Sequence, residues 1–546
     1  MMNRPTATPS PIASPADRND GRQRLSFRLS RQIFLRGLAL VYLSAFLSMA
    51  SQADGLIGRQ GLLPVHEFLA SRPADKPASL AWRYPTLLWV DHSDATIDAI
   101  CLGGAMAATL VALGLLQAPM LLGCFVLYLS VAVGGQQFFD DTPWDSLLLE
   151  TGFLAIFLAP WQLSLKIHRQ AEPSGLLLWL VWWLLFRLLF GSGLAKITLA
   201  DPSWRDGTAL LKYFVIQPLP VFTSWYAARL PAGLLSAATW GLLFAELVLP
   251  FAILLGRWGR RLVCLPLAAV QVLILATGNY GFLNYLALVL CLSLLDDAAW
   301  HWIARSLAAP YRWIMRSGSP RTASRFVAST DATPYWRWPK AVPVLIAVLL
   351  VPVSVVQLLP RALLGSEVLA LTEPVVRGLR PWRIVNSYGI YGVMPSERVE
   401  MIIEASRDGV NWRPYEFRFK PGDITREPRV AAPHMPRLDW LMWSLRWGDP
   451  KEQLWFQSLL KGLLEQRKPV VGLIASAPFE ENPAFLRVRT FRYHLASPSQ
   501  RSEGYWWRRD YLFDSIGAIW LRDRPPIRNG SQTRPVTRPV EQSTQP

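Results

Sequence analysis

Six ionisable side chains lie inside the long apolar runs of this 546-residue chain. They are Arg36, Asp145, Glu150, Arg187, Lys196 and Glu246. A charge at the centre of a membrane helix costs about 2.5–3.5 kcal/mol on insertion scales, so such groups usually face a partner or a polar cavity. One interpretation is therefore catalytic: Lys196 acts as a base in a polar cavity, and Asp145 or Glu150 orients it.

The alternative interpretation is structural, with Arg187 forming a buried ion pair with Glu150 or Glu246 that fixes the order of the helices. Asp145 and Glu150 are five residues apart, about 140° around a helix, and need not share a partner. Arg187 and Lys196 are nine residues apart and fall on opposite faces. We favour the structural hypothesis, because an ion pair compensates a buried charge without any chemistry.

Other chemistries have little support in the residue pattern. The six histidines never stand at metal-ligand spacing, and each of the four cysteines lies singly in an apolar run. The Gly-x-Ser-x-Gly motif of a lipase nucleophile is absent from the sequence. We therefore predict no metal and no cofactor, and we favour a protein without enzymatic activity over an enzyme. Asn279 could join an intramembrane polar network, although a role in the tight Thr277–Gly281 turn is favoured.

A second group of candidate residues lies in the C-terminal part of the chain. The candidates for binding a client protein are His434, Arg437, Asp439, Trp440 and Trp443. The histidine stands in a proline-bounded loop, where the arginine and aspartate could instead form a structural ion pair. The tryptophans share one helix face with Trp447. Such a face is most often core, but it could also dock an apolar partner or rest on a membrane.

The composition is that of a membrane protein. Hydrophobic residues make up 51% of the chain and charged residues 17%, whereas soluble proteins carry about 25% charged residues. The net charge of +17 raises the question of nucleic-acid binding. The arginines, however, cluster at the ends of apolar runs, as expected for cytoplasmic loops. We therefore predict the lipid bilayer as a partner and no nucleic acid.

Nine apolar runs approach the length of about 20 residues that a bilayer crossing needs. They cover residues 32–50, 95–116, 118–134, 146–160, 175–197, 234–256, 261–277, 281–296 and 341–360. The fourth and eighth runs are short, and the fourth could be a helix buried among its neighbours. The sequence thus predicts a multi-pass α-helical membrane protein with about eight or nine transmembrane helices.

The distribution of Lys and Arg predicts the orientation in the membrane. The leading tail and the 257–261 connection are rich in Arg, whereas the connections 135–144 and 278–281 contain no Lys or Arg. The N-terminus is therefore predicted to be cytoplasmic. With an odd number of crossings, everything after Pro360 is predicted to lie outside.

The pattern after the ninth run is that of a soluble α+β or β-rich domain. Val399–Ser406 and Tyr415–Phe419 alternate in polarity around Asp408-Gly409, which predicts a β-hairpin. The predicted organisation is a disordered cytoplasmic tail (1–30), a transmembrane helical domain (31–360), a soluble C-terminal domain (361–521) and a disordered tail (522–546).

Several blocks, in order from about residue 32 to 515, resemble the lipase maturation factor family. The blocks include residues 34–43 (FLRGLALVYL), 144–154 (WDSLLLETGFL), 186–196 (FRLLFGSGLAK), 277–284 (TGNYGFLN), 384–389 (IVNSYG) and 433–440 (PHMPRLDW). The resemblance implies a membrane-embedded factor that helps secreted lipases reach their folded, assembled form. In animal cells the family resides in the endoplasmic reticulum membrane, with its C-terminal domain in the lumen.

The chain looks like a bacterial member, because it is rich in Arg, Leu and Trp. This places it in the inner membrane with a periplasmic C-terminal domain. We expect a chaperone-like action on secreted client proteins, with no covalent step. The alternative is an intramembrane enzyme acting on a lipidic or peptide substrate, since the family's helical body is distantly similar to that of the vitamin K-dependent carboxylases.

Overall fold

The computed structural model describes residues 26–72, 77–140, 143–161, 170–199, 201–314, 338–359 and 364–521. The two predicted disordered tails lie outside these ranges, apart from residues 26–30 of the first. There the chain is already ordered, because Arg28 begins the first helix.

The chain up to Leu359 is built from helices, because an apolar medium requires every backbone polar group to be bonded within the segment. The helices are α1 (Arg28–Ala50), α2 (Ala53–Leu56), α3 (Val65–Ala70), α4 (Pro77–Arg83), α5 (Asp94–Leu113), α6 (Gln117–Gly134), α7 (Gln137–Asp140), α8 (Pro143–Leu158), α9 (Gly175–Thr198), α10 (Pro202–Arg205), α11 (Ala209–Ile216), α12 (Phe222–Ala227), α13 (Ala232–Leu247), α14 (Phe251–Leu254), α15 (Gly256–Thr277), α16 (Leu283–Leu292), α17 (Asp297–Ile314) and α18 (Ala341–Leu358).

Within the described residues, seven helical segments are long and apolar enough to cross a membrane. They are α1, α5, α6, α9, α13 continued by α14, α15 and α18. Each matches one of the predicted spans. The predicted eighth span is α16, which is followed by α17 at a bend of 104°; counting this pair as one span gives eight.

The predicted fourth span is α8, and it differs from the others in length and burial. With 16 residues it is about 24 Å long, which is shorter than a hydrocarbon core of about 30 Å. Most of its side chains are buried, including Asp145 and Glu150. It packs between α6 and α9. The structure therefore supports the alternative that α8 is a helix buried among its neighbours. The described residues contain seven or eight full-length spans, so the nine predicted runs overestimate the number of crossings.

The two ends of the helical bundle differ in their contacts. At the start of α1, Arg28 pairs with Glu172 at 2.9 Å, and its backbone N–H donates to Asp297 at 3.0 Å. At the far end of α1, the Ser48 hydroxyl lies 2.9 Å from the His434 ring. The C-terminal domain thus docks on the end of the bundle that holds the connections predicted to be non-cytoplasmic.

The C-terminal domain contains helices and one antiparallel sheet. The elements are α19 (Ser366–Leu379), β1 (Arg398–Ser406), β2 (Arg413–Pro414), α20 (Arg437–Ser444), α21 (Leu454–Leu464), α22 (Lys468–Val471), β3 (Phe485–Leu495), α23 (Pro498–Ser502) and β4 (Trp507–Ile519). The strand order is β2-β1-β3-β4. The registers Arg398↔Tyr493 and Leu495↔Trp507 fix the pairings of β3 with its two neighbours.

The predicted hairpin forms only in part. Ser406 and Asp408 bond the turn, and Gly409 adopts a φ of +75°, as a tight turn requires. The returning strand is only Arg413–Pro414, so most of the predicted Tyr415–Phe419 strand is irregular. The main partner of β1 is β3, more than 75 residues further along the chain.

Candidate functional site

A buried ion pair joins the C-terminal domain to the helical bundle. Arg437, the first residue of α20, forms two bonds to the Asp145 carboxylate, at 2.8 and 3.0 Å. It also donates to the Phe138 carbonyl at 2.8 Å, and its guanidinium lies 3.5 Å from the centre of the Phe139 ring. Both charged side chains are buried. Arg437 is therefore an internal anchor and not a surface contact for a client, and Asp145 is not the partner of Lys196.

Asp439 has a structural role two residues further along α20. Its carboxylate accepts the backbone N–H groups of Phe419 and Lys420 at 2.7 and 2.9 Å. Burial raises the pKa of this carboxyl group, against the lowering effect of those two bonds. The ion pair between Arg437 and Asp439 that the sequence suggested does not form, because each side chain has other partners.

A second anchor is built around Glu150 of α8. One carboxylate oxygen bonds the Arg187 guanidinium of α9. The other accepts the backbone and side-chain N–H groups of Asn386, both at 3.0 Å, and the Tyr388 hydroxyl at 2.7 Å. Of the two partners predicted for Arg187, the structure thus selects Glu150. The same carboxylate holds the segment that follows α19 against the bundle.

The ammonium group of Lys196, near the end of α9, contacts three hydrogen-bond acceptors. Its ammonium lies 2.8 Å from a Glu246 oxygen and 3.1 Å from the Ile390 carbonyl. A third contact, at 3.4 Å, is to the Ser192 carbonyl one turn earlier. An ammonium group has three N–H donors, and here each has an acceptor. All three acceptors come from the chain itself, which agrees with the structural interpretation of Lys196.

Asn279 and His434 also bond across the two domains. The Asn279 side chain donates to the Arg429 carbonyl at 2.8 Å and accepts the Ala431 N–H at 2.7 Å. It therefore bonds to the C-terminal domain and does not contact the intramembrane ion pairs.

Arg36, the remaining charge predicted for the intramembrane polar network, is exposed on α1. There its long side chain can extend toward the membrane surface.

Two further charges in the contact between the domains were missed by sequence reasoning. Arg398 of β1 donates to the carbonyls of Val215, Gln217 and Pro218 at 2.6–2.9 Å, and it pairs with Glu400 at 2.6 Å. Both side chains are buried. Their alternation in a strand resembles that of any solvent-facing charged pair, so the sequence alone carried no signal of this contact.

The surroundings of His434, which bonds to Ser48 of α1, predict that the stability of the chain depends on pH. Burial, with added repulsion from Arg418 and Arg437, lowers its pKa from 6.5 to about 4. The folded state keeps the ring neutral, so the unfolded state binds the extra proton as the pH falls from 6.5 towards 4. Stability from this group is complete above pH 6.5 and is lost through that window.

We therefore expect the thermal midpoint of the wild-type chain to fall more steeply between pH 6.5 and 4 than that of His434→Gln. Thermal unfolding in detergent at a series of pH values measures both slopes. The carboxyl groups titrate in both proteins, so the difference in slope isolates the histidine. Equal slopes would show that His434 is not buried in neutral form.

A cavity of about 560 Å³ lies where the C-terminal domain meets the bundle, and we call it the seam cavity. Its lining residues are Pro143, Trp144, Leu199, Gly389, Ile390, Tyr391, Gly392, Val393, Trp440, Trp443, Ser444, Leu445, Trp447, Gly448, Gln453 and Trp455. Five of these are tryptophans, and no lining residue carries a charge. The cavity therefore favours an apolar or aromatic group.

The predicted tryptophan face divides along this cavity. Trp440 is 6% exposed and packs edge-on against Trp144, with 4.7 Å between the ring centroids. Trp447 is 58% exposed at the rim of the cavity. Trp443 lies between them and donates its indole N–H to the Ile216 carbonyl at 3.0 Å. The face thus runs from the core at Trp440 to solvent at Trp447, so the core interpretation holds for the first tryptophan and docking at the last stays a prediction.

Residues 389–393 form the wall of the seam cavity opposite the tryptophan face, and sequence analysis did not identify this segment. Tyr391 has a φ of +56°, which is unusual for a side-chain-bearing residue. At Gly392, an added Cβ would lie 2.5 Å from the Leu199 side chain and 3.2 Å from the Ala195 carbonyl. The glycines on either side of Ile390-Tyr391 were the available signal, because they allow the backbone to approach α9 closely.

In the described part of the chain, no three His, Cys, Asp or Glu side chains form a group able to hold a metal ion.

Comparisons with known proteins agree with this architecture. The lipase maturation factor transmembrane domain matches residues 29–302, and the lipase maturation factor C-terminal domain matches residues 384–516. No solved structure matches the chain significantly.

The similarity to individual relatives covers most of each protein. Lipase maturation factor 1 of Bos taurus is 33% identical, over 92% of this chain and 92% of its own length. Lipase maturation factor 1 of Mus musculus is 33% identical, over 95% of this chain and 92% of its own. Lipase maturation factor 2 of Homo sapiens is 32% identical, over 91% of this chain and 83% of its own. With both family domains present in order and identity extending across them, the chain belongs to the lipase maturation factor family.

Proposed function

We propose that the chain assists the folding of secreted lipases by holding an apolar client segment in the seam cavity. The observation that carries the proposal is the cavity itself, which is uncharged and lined by five tryptophans. Its volume of about 560 Å³ falls in the range of about 300–1,000 Å³ typical of ligand sites. That size suits a few apolar side chains, and the similar proteins of known name are lipase maturation factors.

The contacts of the charged residues favour binding over catalysis. A general base needs a free lone pair within reach of its substrate. Lys196 has an acceptor for each of its N–H groups, and both Glu150 oxygens accept hydrogen bonds from the chain itself. Asp145 is held by the Arg437 fork. The enzyme alternative would need one of these groups to be released, so we do not favour it.

The proposal places the C-terminal domain on the non-cytoplasmic side of the membrane, where secreted proteins fold. Two features support this orientation. The domain docks on the connections that are poor in Lys and Arg. The opposite end of the bundle carries the basic residues Arg28, Arg257 and Arg261, which is typical of a cytoplasmic face.

We expect Trp447→Ala to reduce the yield of active lipase from cells that co-express the chain and a secreted lipase. Buried tryptophan anchors are commonly worth about 2 kcal/mol or more in binding, which corresponds to roughly 30-fold in affinity. Because Trp447 is largely exposed in the free chain, its removal should change the stability of the factor little. The matched control is Phe513→Ala, an equally exposed aromatic on β4 outside the cavity.

Photo-crosslinking tests the same site directly. A photoreactive amino acid in place of Trp447 is expected to capture a lipase that has already lost its signal peptide, and the same group at Phe513 is not. Equal capture at both positions would remove the cavity as the binding site. Capture of only the uncleaved lipase precursor would contradict the proposed orientation.

A further inference from the structure

The helix that follows the last membrane span has an unusual exposure pattern. None of the residues of α19 is buried, although nearly half of them are Val or Leu. Val368, Leu371 and Val375 are 43%, 80% and 43% exposed. Their spacing of three and four residues puts them on one stripe of the helix. A soluble helix of this kind would bury such a stripe.

The other faces of α19 are accounted for. Val376, on the neighbouring face, packs against the hydrophobic core, and so does Leu379, where the stripe ends at the last residue of the helix. Glu373 and Arg377 lie on the opposite, polar face and form an exposed pair at 3.6 Å. The helix therefore has one side against the protein, one side for water and one apolar stripe with no covering element among the described residues.

The position of α19 in the chain determines which partner this stripe meets. α18 ends at Leu358 and α19 begins at Ser366, so seven residues separate them. A connection of that length spans at most about 25 Å. The Leu358 side chain also packs near Gly191 of α9, close to the docked C-terminal domain. The stripe is thus confined near the membrane surface at the end of the bundle where the domain sits.

Two tryptophans fix the far end of the helix. The Trp82 indole donates to the Gly378 carbonyl at 3.2 Å, and its ring lies 5.1 Å from that of Trp382. Trp82 itself is largely exposed. Tryptophans are enriched at the boundary between lipid and water, where an apolar ring and a polar N–H are both accommodated. Trp82 and Trp382 lie at the end of the apolar stripe, so they indicate that this end of α19 is at the boundary between lipid and water.

We propose that α19 is an interfacial helix that lies in the bilayer surface, with Val368, Leu371 and Val375 inserted among the lipid chains. An amphipathic helix of low overall hydrophobicity binds membranes in this manner. Because residues 383–394 follow directly, the helix sets the height at which the wall of the seam cavity stands above the lipid. The inference concerns lipid contact and does not depend on the proposed client binding.

Spin labels on the full-length chain test the proposal, in vesicles of phosphatidylcholine with a minority of phosphatidylglycerol. The four native cysteines are buried, so a new surface cysteine is the reactive one. Leu371→Cys carries the label on the apolar stripe, and Arg377→Cys carries it on the polar face as the matched control. Wild-type chain treated with the label measures background reaction.

We expect the label at position 371 to be several-fold more accessible to oxygen than to a water-soluble nickel complex, because oxygen concentrates in lipid. The label at position 377 is expected to show the reverse. Equal nickel accessibility at the two positions would overturn the proposal, because α19 would then stand in water. Exclusion of both reagents at position 371 would also overturn it, since a protein partner would then cover the stripe.

Discussion

In thermal unfolding of the solubilised chain, Arg437→Met is expected to cost about 3–5 kcal/mol of stability, because it removes the positive charge that neutralises the buried Asp145 carboxylate. Asp145→Leu should cost a similar amount, because it leaves the buried Arg437 guanidinium without the carboxylate that balances its charge. The double variant removes both charges from the interior. It is expected to recover most of the loss, since a buried pair is often worth little more than apolar groups of similar volume.

The structure also predicts how the single variants fail. Arg437 lies where α20 meets the bundle, so its loss should loosen the C-terminal domain before the membrane helices unfold. Limited proteolysis should therefore cut near the exposed Ser387 sooner than in the wild type.

Arg508→Met is the matched control for this experiment. Arg508 is an exposed arginine on β4, paired with Asp510 at 3.7 Å, and its replacement should cost less than about 1 kcal/mol. The explanation is wrong if the double variant unfolds no later than Arg437→Met alone, because the cost would then come from lost packing and not from the unpaired charge.

The second large effect is expected at Glu150 and Arg187, measured as a double-mutant cycle. Arg187→Met and Glu150→Gln should each cost about 3–5 kcal/mol, because each leaves a buried charge without its counter-charge. Their coupling energy is expected to be about 2–3 kcal/mol, at the upper end for residues in direct contact. Unfolding midpoints of the wild type, the two single variants and the double variant supply the cycle.

A cross-cycle gives the control. Glu246 pairs with Lys196, at 2.8 Å, and shares no partner with Arg187. The effects of Arg187→Met and Glu246→Gln should therefore add within about 0.5 kcal/mol. A larger coupling to Glu246 than to Glu150 would assign Arg187 to the other partner that the sequence allowed, and it would contradict the helix arrangement described above.

The membrane class and the approximate positions of the spans could be predicted from sequence, because lipid imposes a length and a polarity on every crossing segment. Length and polarity do not classify α8, because a short apolar run suits both a membrane crossing and an internal helix. The helices packed around α8 distinguish the two cases. α6 and α9 flank this helix, and α1 and the C-terminal domain contact it as well.

The intramembrane charges illustrate a different limit. Their cost in lipid is a local property, so the sequence could predict that most of them have partners. Spacing along one helix gives rotation and depth, but it does not say which helix or domain lies opposite. Asp145 and Arg437 are separated by almost 300 residues, and nothing local to either one names the other.

The aromatic residues show the same division. The spacing of Trp440, Trp443 and Trp447 predicted a shared face, and the structure then buries the first and exposes the last. The seam cavity also needs Trp144 and Tyr391, which come from two other segments. A cavity between domains exists only after the domains have docked, so no single segment contains its pattern.

The sequence by itself thus determined the apolar spans, the need for buried charge partners and the family, since each depends on residue type and order along the chain. The tertiary structure alone decided that Asp145 and Glu150 hold the C-terminal domain, that Lys196 is fully engaged and that an aromatic cavity opens between the two parts. The physical reason is that ion-pair partners and a cavity between domains arise from contacts between residues far apart in the chain, where local periodicity carries no information.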